Sequence, residues 1–261
     1  MSPSASDAQS CRPASPAPPI KFKTFSAERP SHLPPTPKAI IRTTAGFTRY
    51  LITELHGGGE HPINVLEDAG LIIREADAFR DRRSTYVIAE PLINFYHAIM
   101  RPVWSQLERP GNAARVWRAS RERFSKAVLG PHFERICRSW TLNYADPDRL
   151  GGLPAKVGQG AINDAAGKSV HQVDVVVTGI GDSKKTPLLA IGEAKWGEVM
   201  GGDHAERLRQ IRSLLAAQGR YDTSQTKLLC FGAAGFKDSL RLEAAADSDL
   251  ILVDANELYG G

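Results

Sequence analysis

Two short apolar runs interrupted by charge constrain this chain more than any other feature: Val173-Asp174-Val175-Val176-Val177 and Ala190-Ile191-Gly192-Glu193-Ala194-Lys195-Trp196. Both read as β-strands. Side chains alternate along a strand, so Glu193 and Lys195 share one face, and Asp174 starts the strand that pairs beside them. Charge inside apolar strands is costly unless it is paired or set in a solvated cleft. Two carboxylates and an ammonium at one end of a sheet therefore ask for a chemical reason.

The surrounding pattern supplies the frame. Residues 155–159, 170–178, 187–196, 227–232 and 249–254 have strand character, with a turn at 163–168 joining the first two. Residues 205–217 and 236–246 have helical spacing. A helix, three adjacent strands, then strands alternating with helices predict a mixed α/β sheet flanked by helices over 129–261. Upstream, residues 103–128 read as a basic helical linker holding Arg115, Arg118, Arg121, Arg123 and Lys126, broken at Gly130-Pro131 before a helix over 131–144.

The front of the chain differs. Residues 1–40 carry nine of the seventeen prolines and are expected to be a disordered tail. Residues 41–102 order as helix (47–56), helix (61–69), strand (71–75), charged loop (77–84), strand (85–88) and helix (from Pro91). That is the order of a winged helix, with Gly57-Gly58-Gly59 interrupting its helical pair. In this reading Arg80, Arg82 and Arg83 sit on a projecting wing that can meet DNA phosphates, with a plain solvated loop as the competing reading. The basic helix of the linker carries the same two alternatives.

Formal net charge is +4, which permits nucleic-acid binding without requiring it. Three scattered cysteines predict neither a disulfide framework nor a zinc site, and suggest a reducing, cytoplasmic setting. No apolar run approaches the roughly 20 residues of a membrane span.

Phosphodiester hydrolysis is a chemical reason for the charged strands. Asp174 and Glu193 offer hard oxygen donors suited to Mg²⁺ or Mn²⁺, and Lys195 can position water or stabilise phosphoryl charge. The two strands resemble the PD-(D/E)XK nuclease superfamily, with Asp174 in the first acidic position and Glu193-Ala194-Lys195 as its E-x-K strand. That resemblance implies a restriction-endonuclease-like fold. It also implies a further acid on the helix before the sheet, where Glu134 stands in Gly130-Pro131-His132-Phe133-Glu134-Arg135-Ile136-Cys137. Over roughly 45–261, those segments together with Tyr86–Tyr96 and Phe231-Gly232-Ala233-Ala234-Gly235-Phe236 resemble the C-terminal region of archaeal-type AAA+ ATPases. There a winged helix precedes a nuclease-like domain, and the chain here lacks the ATPase domain. The resemblance implies DNA and a separate ATPase subunit as partners.

Other motifs fail on spacing. Gly160 to Ser169 places six residues before Gly167-Lys168-Ser169 where a P-loop has four, so it reads as a hairpin turn and no ATP site is expected. His56-Gly57-Gly58-Gly59 lacks the G-x-S-x-G partner of an esterase. The scattered histidines show no zinc spacing. Two readings of function remain at this level. One is a Mg²⁺-dependent deoxyribonuclease using Glu134, Asp174, Glu193 and Lys195. The other is a catalytically inactive DNA-binding or regulatory remnant of an AAA+ ATPase.

Overall fold

Val173–Val177 and Leu188–Ile191 are buried on both faces, as the central strands of a covered sheet must be. In the computed structural model, residues 61–80, 83–181 and 185–260 are described. The Pro-rich tail, the helix expected over 47–56, the Gly57–Gly59 interruption and Arg82 lie outside them.

The described chain opens with α1 (His61–Asp68), then an antiparallel hairpin of β1 (Ile72–Ala76) and β2 (Ser84–Ile88). Helix α2 (Pro91–Phe95) runs on through one π-turn, Tyr96–Met100, and a short 3₁₀ turn to α3 (Trp104–Leu107). Helix α4 (Ala113–Phe124) leads through a second π-turn, Ser125–Leu129, directly into α5 (Gly130–Asn143). The expected break at Gly130-Pro131 is thus absent. The Gly130 N–H reaches back five residues to the Ser125 carbonyl. This wider turn takes up the proline ring and its missing donor, so the axis continues. A one-turn helix, α6 (Pro147–Leu150), follows, because Asp146 caps the Asp148 N–H and Pro147 pre-sets the first turn.

The sheet follows: β3 (Pro154–Asp164), β4 (Ser169–Gly179), β5 (Thr186–Lys195), α7 (Gly202–Gln218), β6 (Tyr221–Asp222), β7 (Lys227–Gly232), α8 (Asp238–Ala246), β8 (Leu250–Asp254) and α9 (Ala255–Tyr259). Its order is β3-β4-β5-β7-β8, with β6 pairing beside β5. The β3–β4 and β4–β5 pairs are antiparallel, while β5–β7 and β7–β8 are parallel. The expected mixed α/β sheet flanked by helices is therefore what forms. One core packs Leu208, Ile211 and Leu215 of α7 and Leu240 of α8 against Val176, Ile191 and Leu228. The other packs Phe133 and Cys137 of α5 and Leu258 of α9 against Val175, Val177, Ala190 and Phe231. Gly192 sits where three strands are tightest: a Cβ there would lie 2.9 Å from Leu229 and 3.3 Å from Val175. No helix among the described residues is long and apolar enough to cross a membrane.

Of the loop between β1 and β2, residues 77–80 and 83 are described, and residues 77–80 turn back onto β3. The Asp77 Oδ1 accepts the Phe79 N–H at 2.9 Å, an Asx turn that folds the chain back. Asp77 then bridges Gln159 of β3, and Phe79, 8% exposed, enters the α7-side core edge-on to Tyr221 with ring centroids 5.9 Å apart. Gly160 makes room, since a Cβ there would stand 2.5 Å from the Phe79 ring. Burying a phenylalanine side chain stabilises by about 1.5–3 kcal/mol, more than a solvated loop can offer.

Candidate active site

The site forms where two paired strands part. The β4–β5 ladder ends at Val175 opposite Gly192. β4 is irregular just past this point, its register with β3 shifting between Gly158–Val176 and Gly160–Val173, and Asp174 lies within that irregularity. Beyond this point β5 keeps pairing only with β7, through Glu193–Cys230, Ala194–Phe231 and Lys195–Gly232. The Ala194 N–H, left without a β4 carbonyl, donates to the Asp174 Oδ2 at 3.0 Å. Asp174 is thus held across the gap by the backbone of the strand that carries Glu193.

Glu193 is held from both sides. The Lys195 Nζ lies 2.8 Å from its Oε1, and the Arg207 Nη1 lies 2.5 Å from its Oε2. The Glu193 side chain is 5% exposed, while that of Arg207 is 36% exposed. The Arg207 Nη2 also donates to the Gln172 carbonyl at 2.9 Å, so one guanidinium spans the parted strands. Arg207 was not singled out in the sequence. The only signal is its place on α7, one position off the buried row of Ala205, Leu208 and Ile211, at the rim of the apolar stripe.

The electrostatics follow from burial. Burial pushes the Asp174 carboxyl up, against the pull of the Ala194 N–H, and the Glu193 charge adds to the rise. Burial raises Glu193 as well, but hydrogen bonds and charge from Lys195 and Arg207 outweigh it, so its carboxyl lies below the ordinary range. Lys195 is desolvated, yet the Glu193 bond and the Glu193 and Asp174 charges hold its ammonium above the ordinary lysine value. Glu134, reaching in from α5, is pushed up to about 8, by burial first and then by the Asp174 charge, with Arg138 and Lys195 opposing. Asp174 thus acts on each of the other three, and burial holds Glu134 near neutrality at pH 7.

The donors suit a hard cation. Asp174 and Glu193 supply carboxylate oxygens, and no soft sulfur or imidazole ligand joins them. Among the described residues no three His, Cys, Asp or Glu side chains are grouped to hold one ion.

The remaining candidates lie elsewhere. The Arg80 Nη2 donates to Asn163 Oδ1 at 2.5 Å, so this guanidinium is tied to β3. Arg83 is half-buried beside it. His171 lies 3.8 Å from Asp164 at the β3–β4 turn. Trp196 packs on Phe133, with centroids 5.7 Å apart, next to Lys195. The segment with P-loop-like glycines is that hairpin turn, closed by Asp164 accepting the Gly167 N–H. Compared with models of known protein families and with curated protein sequences, the chain matches none.

Proposed function

We propose that this chain is a Mg²⁺- or Mn²⁺-dependent phosphodiesterase acting on DNA, of the PD-(D/E)XK type. The observation that carries the reading is the meeting of Asp174, Glu193 and Lys195 at the parted end of β4 and β5, with Glu134 beside them. Asp174 and Glu193 hold the cation through their carboxylate oxygens. When bound, it supplies Lewis-acid polarisation of a phosphoryl oxygen and a water of lowered pKa. Lys195, held as an ammonium by Glu193 and Asp174, can donate hydrogen bonds to developing phosphoryl charge or position the attacking water. Glu134, protonated near neutrality, can donate a hydrogen bond or give up its proton as positive charge arrives. The exposed Arg115, Arg118 and Arg121 of α4 offer phosphate contacts in place of the docked Arg80. A reducing compartment suits the buried free thiols of Cys137 and Cys230.

One observation favours a second reading. Both Glu193 oxygens are already engaged by cations, which also suits a structural ion-pair cluster in a DNA-binding or ATPase-associated remnant without catalysis. Cleavage assays separate the two. Under the first reading, purified protein with Mn²⁺ degrades single-stranded, duplex or branched DNA. Lys195→Ala then abolishes cleavage while keeping metal binding, and Asp174→Ala loses both. Wild-type protein with neither cleavage nor calorimetric Mn²⁺ binding overturns it in favour of the second.

A further inference from the structure

The hairpin that sequence order suggests as part of a winged helix sends one carboxylate, Glu75, toward the arginine that grips Asp174. The Arg138 Nη1 donates to the Asp174 carbonyl at 3.0 Å, and its Nη2 lies 3.3 Å from the Glu75 Oε1 of β1. The other Glu75 oxygen accepts from the Gln159 Nε2 of β3 at 2.5 Å. The pair is largely buried, at 11% exposure for the Arg138 side chain and 18% for Glu75. One turn earlier on α5, Arg135 donates to the Ile88 carbonyl of β2 at 3.2 Å. Helix α5 is thus tied to both strands of the hairpin, and the same helix carries Glu134. The loop beyond Glu75 is anchored in turn, by Phe79 in the core, by the Tyr221 hydroxyl on the Ala78 carbonyl and by Arg220 on the Phe79 carbonyl.

We infer that Glu75 and Arg138 are positioning residues for Asp174, and that through them the β1–β2 hairpin is a built-in wall of the candidate site. Asp174 lies where β4 loses its β5 partner, so the ladder no longer holds its backbone. Arg138 takes over that task by gripping its carbonyl. Arg138 is itself a long side chain with several rotamers, and Glu75, fixed by Gln159, leaves it one. Gln159 orients Glu75, Glu75 orients Arg138, and Arg138 sets the peptide from which the Asp174 carboxylate projects. Such outer partners govern how well a ligand side chain is aimed. The functional weight of the inference rests on Asp174 being a metal ligand, but its geometric content does not.

The test uses the full chain with Glu75→Gln, Arg138→Gln, the double variant, and Phe79→Ala as a destabilising control. Glu75→Gln keeps shape and removes charge, so it serves where Arg138→Gln folds poorly. The first readout is hydrogen exchange at the Ala194 amide, whose acceptor is Asp174, measured relative to Ile191 in the intact ladder opposite Val176. Each single variant should speed Ala194 exchange about tenfold over Ile191, with the double variant no faster, and should weaken Mn²⁺ binding about tenfold by calorimetry. Phe79→Ala should lower Tm while leaving the Ala194/Ile191 ratio and the Mn²⁺ affinity unchanged. An unchanged ratio in Glu75→Gln and Arg138→Gln, or one that moves in Phe79→Ala as well, overturns the inference. Failure of the metal reading shows separately, as wild-type protein without measurable Mn²⁺ binding.

Discussion

The β4–β5 end and the β1–β2 loop both look, in sequence, like charged groups set among apolar residues, yet the fold treats them oppositely. At the β4–β5 end the charges stay together, and the backbone opens around them. Glu193 is buried with two cations on it, and Asp174 fills the gap left by the ladder. In the loop one apolar residue decides the course of the described segment. Phe79 enters the core, and Arg80 is drawn onto Asn163. Charge inside a strand is expensive and must be answered by partners on the spot. Charge in a loop is cheap, so the loop goes where its one large apolar side chain gains most.

The largest effect that sharpens this contrast is catalytic. Lys195→Ala should reduce metal-dependent DNA cleavage by at least about a hundredfold, the scale on which positioned charge stabilisation is lost. Cleavage persisting in this variant would place the chemistry elsewhere. Next comes Phe79→Ala, which should cost about 3 kcal/mol by leaving a cavity under the loop, read as a lower denaturant midpoint with an unchanged slope. A cost under about 1 kcal/mol would mean that the loop is not core and would restore the projecting wing.

Arg207→Gln should destabilise by about 1–2 kcal/mol. That is less than the usual penalty for breaking a buried pair, because Arg207 is partly exposed and Lys195 stays on Glu193. Equal stability of the variant would show that Lys195 alone satisfies the carboxylate.

A subtler effect depends on pH. The folded Glu134 carboxyl is raised from 4.5 to about 8. Between those values the unfolded chain binds fewer protons there than the folded one, so this group's contribution falls as pH rises from about 4.5 toward 8. Glu134→Gln should therefore raise Tm by a few degrees over the wild type above pH 8, with the gap closing as pH drops toward 4.5. A gap independent of pH would show that burial does not hold Glu134 neutral. The smallest expected effect is Arg80→Ala, which should leave the salt dependence of duplex DNA binding unchanged. A slope reduced by about one would make Arg80 a phosphate contact after all.

Much of the sheet was legible because its signals are local. The runs at 173–177 and 190–195 show strand alternation without reference to anything distant. The turn at 163–168 carries its own Asp and Gly, and Glu193 and Lys195 share a face by strand alternation alone. The continuity of α4 into α5 was not legible, because a proline usually ends a helix and only the π-turn before it removes the conflict.

Amino-acid order by itself determined the α/β pattern and the shared face of Glu193 and Lys195, since both depend on periodicities of two and 3.6 residues within a segment. Only the tertiary structure decided that Arg207 clasps Glu193, that Glu75 and Arg138 stand behind Asp174, and that Phe79 enters the core. Those contacts join residues 14, 63 and 141 positions apart. No local period encodes such pairings. They are set by which buried carboxylate lacks a cation, and by which pocket a phenylalanine can fill, once the sheet has formed.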